Sequence, residues 1–81
     1  MKEFRVSGST DPKKLAGTVR YYLGKDFSCV LSAMGQKSIC VAAKSVAMLG
    51  SMFDLEYSCT ISYFDYKDGD ELVSGIKFIV M

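Results

Sequence analysis

Two short strings in this sequence combine the residue types that receive an anion. Ser7-Gly8-Ser9-Thr10 and Gly35-Gln36-Lys37-Ser38 each join glycine to small hydroxyl side chains, and each stands just ahead of a segment with helical patterning. A helix N-terminus offers unpaired N–H groups and the positive end of the helix dipole, which together favour phosphate or carboxylate. Glycine lets such a group approach the backbone. Lys13 and Lys14 follow the first string, Lys37 lies inside the second, and Arg20 and Lys44 add charge further along the two helices. The candidate contacts are therefore Lys13, Lys14, Arg20, Lys37 and Lys44 through their charge, with Ser9 and Gly35 offering backbone N–H groups. Ordinary helix capping with solvated lysines accounts for the same residues, and Asp11 competes for the N–H groups of the first helix. The second string is not a P-loop, because the upstream glycine and its spacing are missing.

Other chemistry is thinly represented. The chain has no histidine, which removes catalysis and metal binding that depend on imidazole. Cys29, Cys40 and Cys59 are odd in number and widely spaced, a pattern of buried thiols in a reducing cytoplasm rather than a disulfide framework. The acids form no catalytic constellation, so no enzyme, no cofactor and no metal site is expected. Tyr21, Tyr22, Tyr57, Tyr63 and Tyr66 match no base-stacking signature of an RNA-recognition sheet and are expected in core and hairpin packing. The net charge of +1 hides an asymmetry: residues 1–44 carry +5 and residues 45–81 carry −4. Near-neutrality therefore coexists with a basic half that contains both candidate strings.

The elements that position these strings follow from periodicity. Residues 3–7 alternate as a half-buried strand. Asp11 as N-cap and Pro12 at the first helical position open a helix over residues 12–23, with Leu15, Ala16, Val19, Tyr22 and Leu23 on one face and Gly24 as its stop. Gly17 inside it implies close helix packing. Residues 27–34 read as an interior strand. A second helix, capped by Gln36 or Ser38, runs to about Gly50, with Ile39, Ala42, Ala43, Val46 and Ala47 toward the core. Val41 and Met48 sit on its other side, so this helix is apolar nearly all round and is expected to be buried on two sides. The simplest second cover is a partner subunit, which makes Val41 and Met48 the expected oligomer interface. Residues 55–64 alternate, Asp68-Gly69 marks a hairpin in a polar stretch over residues 65–71, and a last strand over residues 73–80 points Ile76, Phe78 and Val80 inward.

Eighty-one residues hold one domain, 1–81. The order βαβαββ with right-handed crossovers gives an α/β (α+β) two-layer sandwich, both helices on one face of a four-stranded mixed sheet. No apolar run approaches the ~20 residues of a membrane span and the N-terminus is too polar for a signal peptide, so the expected setting is cytoplasmic, with no membrane partner.

The segments Val6-Ser7-Gly8-Ser9 through Pro12, Leu15-Ala16-Gly17, Ala33-Met34-Gly35, Ala42-Ala43-Lys44-Ser45-Val46-Ala47-Met48 and Gly75-Ile76-Lys77-Phe78-Ile79-Val80 occur in this order. Together they resemble the stage V sporulation protein S family, whose fold is similar to that of Alba, the dimeric chromatin protein that binds DNA and RNA. The resemblance implies an Alba-like sandwich, assembly as a homodimer or higher homo-oligomer, and a regulatory role connected with sporulation. Departures are specific. Thr10 and Asp11 stand where Alba-type proteins carry a lysine pair ahead of the helix-opening proline, Val41 replaces a lysine of the second helix, and the hairpin is expected to be short and acidic. Two functions follow: weak, sequence-independent DNA or RNA binding by an oligomer, or an oligomeric protein-interaction module without nucleic acid.

Overall fold

β1 (Lys2–Val6), α1 (Pro12–Leu23), β2 (Cys29–Ala33), α2 (Gln36–Ser51), β3 (Cys59–Asp68) and β4 (Glu71–Val80) follow in the expected order. They come from a computed structural model that describes the backbone of residues 1–81 and every side chain except those of Tyr66 and Asp68. The packing expected of Tyr66 lies outside the described residues.

The strands form one sheet in the order β1-β2-β4-β3. β1 and β2 are parallel, from Lys2↔Cys29 to Val6↔Ala33, whereas β4 runs antiparallel to β2 on one side and to β3 on the other. Alternation then sorts the side chains. Phe4 and Val6, then Cys29, Leu31 and Ala33, then Ile76, Phe78 and Val80 face the helices, and Val6, Cys29, Leu31, Ala33, Phe78 and Val80 close the core with Leu15 and Val19 of α1 and Ala42, Val46 and Leu49 of α2. The opposite face stays open. Across it run Glu3, Val30, Ile79 and Thr60 in one row, then Arg5, Ser32, Lys77 and Ser62 in the next.

α1 has the expected bounds and buries Leu15, Ala16 and Val19. Close packing does not account for Gly17, however: a Cβ there would meet no heavy atom within 4 Å.

The inward face of α2 is rotated from its expected position. Ser38, Ala42, Ser45, Val46 and Leu49 are buried, while Ala43 and Ala47 are exposed and Ile39 is half-buried. Small and apolar residues surround this helix, so periodicity alone gave no unique phase. Ser45 is tolerated in the core because its hydroxyl donates to the Val41 carbonyl at 2.9 Å, one turn back. Val41 and Met48 are also not an exposed interface. Both are half-buried, and Val41 packs against the core of its own chain. At 100° per residue they flank the buried row of Ser38, Ser45 and Leu49 rather than oppose it.

The hairpin is long, not short. β3 and β4 have ten residues each and stay paired from Cys59↔Val80 to Asp68↔Glu71, with Gly69 and Asp70 as the turn. It accounts for much of the 42 Å long dimension of a molecule that is 22 × 15 Å across. The polar stretch reads as loop because hydrophobic alternation marks only strands that cover a core, and this end of the hairpin covers none. Residues 55–58, where alternation was clear, precede the strand instead. Ile61 and Tyr63 extend the helix-facing side of the sheet beyond the helices and remain 63% and 79% exposed, as does Leu72 at 69%.

Candidate functional site

Both candidate strings lie at the carboxyl ends of adjacent parallel strands, β1 and β2, and they touch. A Cβ placed on Gly8 would stand 3.0 Å from Lys37 Cβ. The two strand–helix junctions therefore converge at the residues nearest the strands. Their hydrogen bonding is quite different.

The α1 junction is internally satisfied. The Lys13 N–H donates to Asp11 Oδ1 at 3.0 Å, and the Leu15 N–H to the Asp11 carbonyl at 3.0 Å. Ahead of the cap, the Ser7 N–H donates to Thr10 Oγ1 (3.0 Å), the Thr10 N–H to the Ser7 carbonyl (3.2 Å), and the Ser9 N–H to Ser7 Oγ (3.3 Å). Ser9 thus spends its N–H inside its own loop, which corrects the expectation that it offers this group to an anion. Serine, threonine and aspartate close such local turns because their short side chains reach backbone one to three residues away.

The α2 junction is open. Gly35 is its N-cap, at φ 88° and ψ 155°, and no side chain caps the helix. The expected capping by Gln36 or Ser38 does not occur. The first helical bond joins the Ile39 N–H to the Gly35 carbonyl at 3.0 Å, so the N–H groups of Gln36, Lys37 and Ser38 lie ahead of the helical ladder. No acidic residue lies in this first turn. Gly35 occupies backbone space essentially reserved for glycine, which leaves no cap side chain in front of those donors.

The lysines divide accordingly. Lys13, Lys14, Lys37 and Lys44 are exposed. Lys37 and Lys44 are seven residues apart and share one stripe of α2, about 10 Å from one another. Arg20 is not part of the junctions. It lies in the last turn of α1, where its guanidinium sits 4.8 Å from the Phe53 ring centroid. At the same end Lys25 stacks over Tyr21 and Lys2 over Tyr22 and Phe27, so Tyr21 and Tyr22 serve as cation platforms.

A cavity of about 610 Å³ opens beside the junctions, lined by residues of β1, the β1–α1 loop, Ser32, Met34, Ser38 and Phe64. Sequence reasoning passed over Arg5, Ser32 and Phe64. The polar phase of β1, Glu3-Arg5-Ser7, was the available signal, because it marks the open face of a parallel strand. Among the described residues, no three His, Cys, Asp or Glu side chains gather as a metal site. Burial pushes the thiols of Cys29 and Cys59 above the ordinary range, and neither is disulfide-bonded.

The fold defines the class: an α+β sandwich with one sheet face open and an elongated hairpin. No model of a known protein family matches the chain, and no curated protein matches it. Among the described residues, no helix is long and apolar enough to cross a membrane.

Proposed function

We propose that this protein is a small, non-catalytic regulator of the stage V sporulation protein S type that binds DNA or RNA weakly and without sequence preference. The observation that carries this reading is the contact between the two strand–helix junctions, which sets Lys37 and the uncapped N-terminus of α2 beside the loop leading to Lys13 and Lys14. Phosphates of a nucleic-acid backbone suit such a surface, since it offers positive charge and backbone donors. Lys44 extends the same basic stripe along α2. The cytoplasm is its setting, where the free cysteines stay reduced.

The protein acts as a homodimer or higher homo-oligomer. Support comes from Ile61 and Tyr63, apolar neighbours left exposed on the helix-side face of β3, with Leu72 exposed further along the same face of the hairpin. Fluorescence anisotropy with a random 15-mer at ~50 mM salt tests the binding: a micromolar affinity that falls steeply with added salt is expected. No binding at tens of micromolar would remove the nucleic-acid reading. The oligomeric interaction module would then remain, and light scattering on the parent and on Tyr63→Asp tests assembly directly.

A further inference from the structure

The cavity beside the junctions has a composition that nucleic-acid backbone contacts do not explain. It runs from the open face of the sheet around the carboxyl ends of β1 and β2 to the first turn of α2. Its volume, about 610 Å³, falls within the usual range of small-molecule sites. One end is built for an anion. Three N–H groups of α2 precede the helical ladder there, and Ser38, 8% exposed, lines the same end. No buried side-chain oxygen in the described residues is a sealed orphan. Yet Ser38 Oγ makes no hydrogen bond with the described residues, so this nearly buried hydroxyl has only the cavity in which to find a partner.

The rest of the cavity is ordered along the strands. Arg5 and Ser32 are register partners on the open face and stand one row back from the anion end. Glu3 lies two residues further on, and the span from Ser7 to Glu3 is about 13 Å at the rise of a strand. Phe64 and Met34 supply the apolar wall. The Phe64 ring is held by Gly75, its register partner: a Cβ on Gly75 would stand 2.5 Å from Phe64 Cε1 and 2.8 Å from the Ala33 carbonyl oxygen. Only glycine lets the ring lie flat against β4 at this position. The site thus has hydrogen-bond donors at one end, an apolar wall, and a carboxylate at the far end.

We propose that this cavity binds a phosphomonoester carrying an aromatic ring, of nucleoside monophosphate size, with its phosphate on Ser38 and the α2 N-terminus and its ring against Phe64 and Met34. Glu3 accepts hydrogen bonds from sugar hydroxyls. The proposal shares the open end of α2 with the nucleic-acid reading but does not require it, because the remaining contacts are with the cavity walls.

The test is a titration of the full chain with adenosine 5′-monophosphate, followed by ¹⁵N NMR at ~50 mM salt. Saturable shifts at Arg5, Ser32 and residues 36–38 are expected, with a dissociation constant of ~10 µM to 1 mM for a ligand of this size. Ser38→Ala should weaken binding about ten-fold, the effect of removing one hydrogen bond to a charged group. Its thermal midpoint should not fall, since the hydroxyl has no partner to lose. Adenosine and inorganic phosphate should each bind at least ten-fold more weakly than the monophosphate. Absent shifts, undiminished affinity in Ser38→Ala, or either fragment binding as tightly as the whole would overturn the proposal. A 5′-phosphorylated 15-mer that gains ten-fold over its unphosphorylated form assigns the seat to a strand end; no gain, with the monophosphate bound, assigns it to a free nucleotide. Monophosphate binding without 15-mer binding retains this site and removes the nucleic-acid reading, and the reverse result does the opposite.

Discussion

The two strand–helix junctions start from similar residues and arrive at opposite states. Both contain glycine and hydroxyl side chains, and both follow parallel strands. At α1 the donors are taken by Asp11, Ser7 and Thr10. At α2 a glycine with a positive φ holds the cap position and no side chain caps the helix. A helix-opening motif therefore says little about ligand binding until its hydrogen bonds are followed to their partners. Capping and anion binding use the same N–H groups, and where a carboxylate is already in place a phosphate meets both an occupied donor and a like charge.

This contrast can be broken most forcefully at Gly35. Gly35→Ala places a Cβ in a conformation that L-residues rarely adopt, so a stability loss of about 1–3 kcal/mol is expected in urea unfolding. A loss below ~0.5 kcal/mol would mean that the junction relaxes readily and is not fixed in its open form. Charge reversal comes next. Lys37→Glu should lower affinity for a random 15-mer about ten-fold and reduce its salt dependence, while Lys13→Glu, beside the capped junction, should cost two- to three-fold at most. Equal losses would erase the distinction between the junctions.

Asp11→Ala should destabilise by about 1 kcal/mol, as loss of an N-cap does, and should raise 15-mer affinity by freeing the Lys13 N–H and removing a carboxylate. An unchanged affinity would show that α1 contributes no donor even when opened. The smallest effect belongs to Gly17→Ala. With empty space around that position, the change should stabilise α1 by up to about 1 kcal/mol and leave binding untouched, as a thermal melt and an anisotropy titration would register.

Much of the architecture was legible because local and global signals agreed. Asp11, Pro12 and Gly24 bracket α1 at the residues observed, and the inward phase of Ile76, Phe78 and Val80 follows from strand alternation. Legibility failed where a segment lacked contrast. In α2, with Ala42, Ala43, Ala47 and two buried serines, size and polarity do not distinguish the core side from the outer side, so the buried face is rotated from the expected one and Val41 and Met48 lie half-buried at its flank. Along residues 65–72 the opposite problem arose: a strand that projects beyond the core has no apolar face to announce it.

For the binding residues the division is similar. Residue types and spacing were enough to nominate the two junctions, to exclude imidazole chemistry, and to place Lys37 and Gly35 at the head of a helix, since each depends on neighbours in the chain. They were not enough to say that Ser9 turns its N–H inward, that Arg20 belongs with Phe53 at the far end of α1, or that Arg5, Ser38 and Phe64 enclose one cavity. Those outcomes depend on which hydrogen bonds are already made and on strand register, which brings residues 5, 32 and 64 to one face across a sheet. Competition for a donor and proximity across strands are properties of the folded chain, because only folding fixes which of several chemically equivalent partners is within reach.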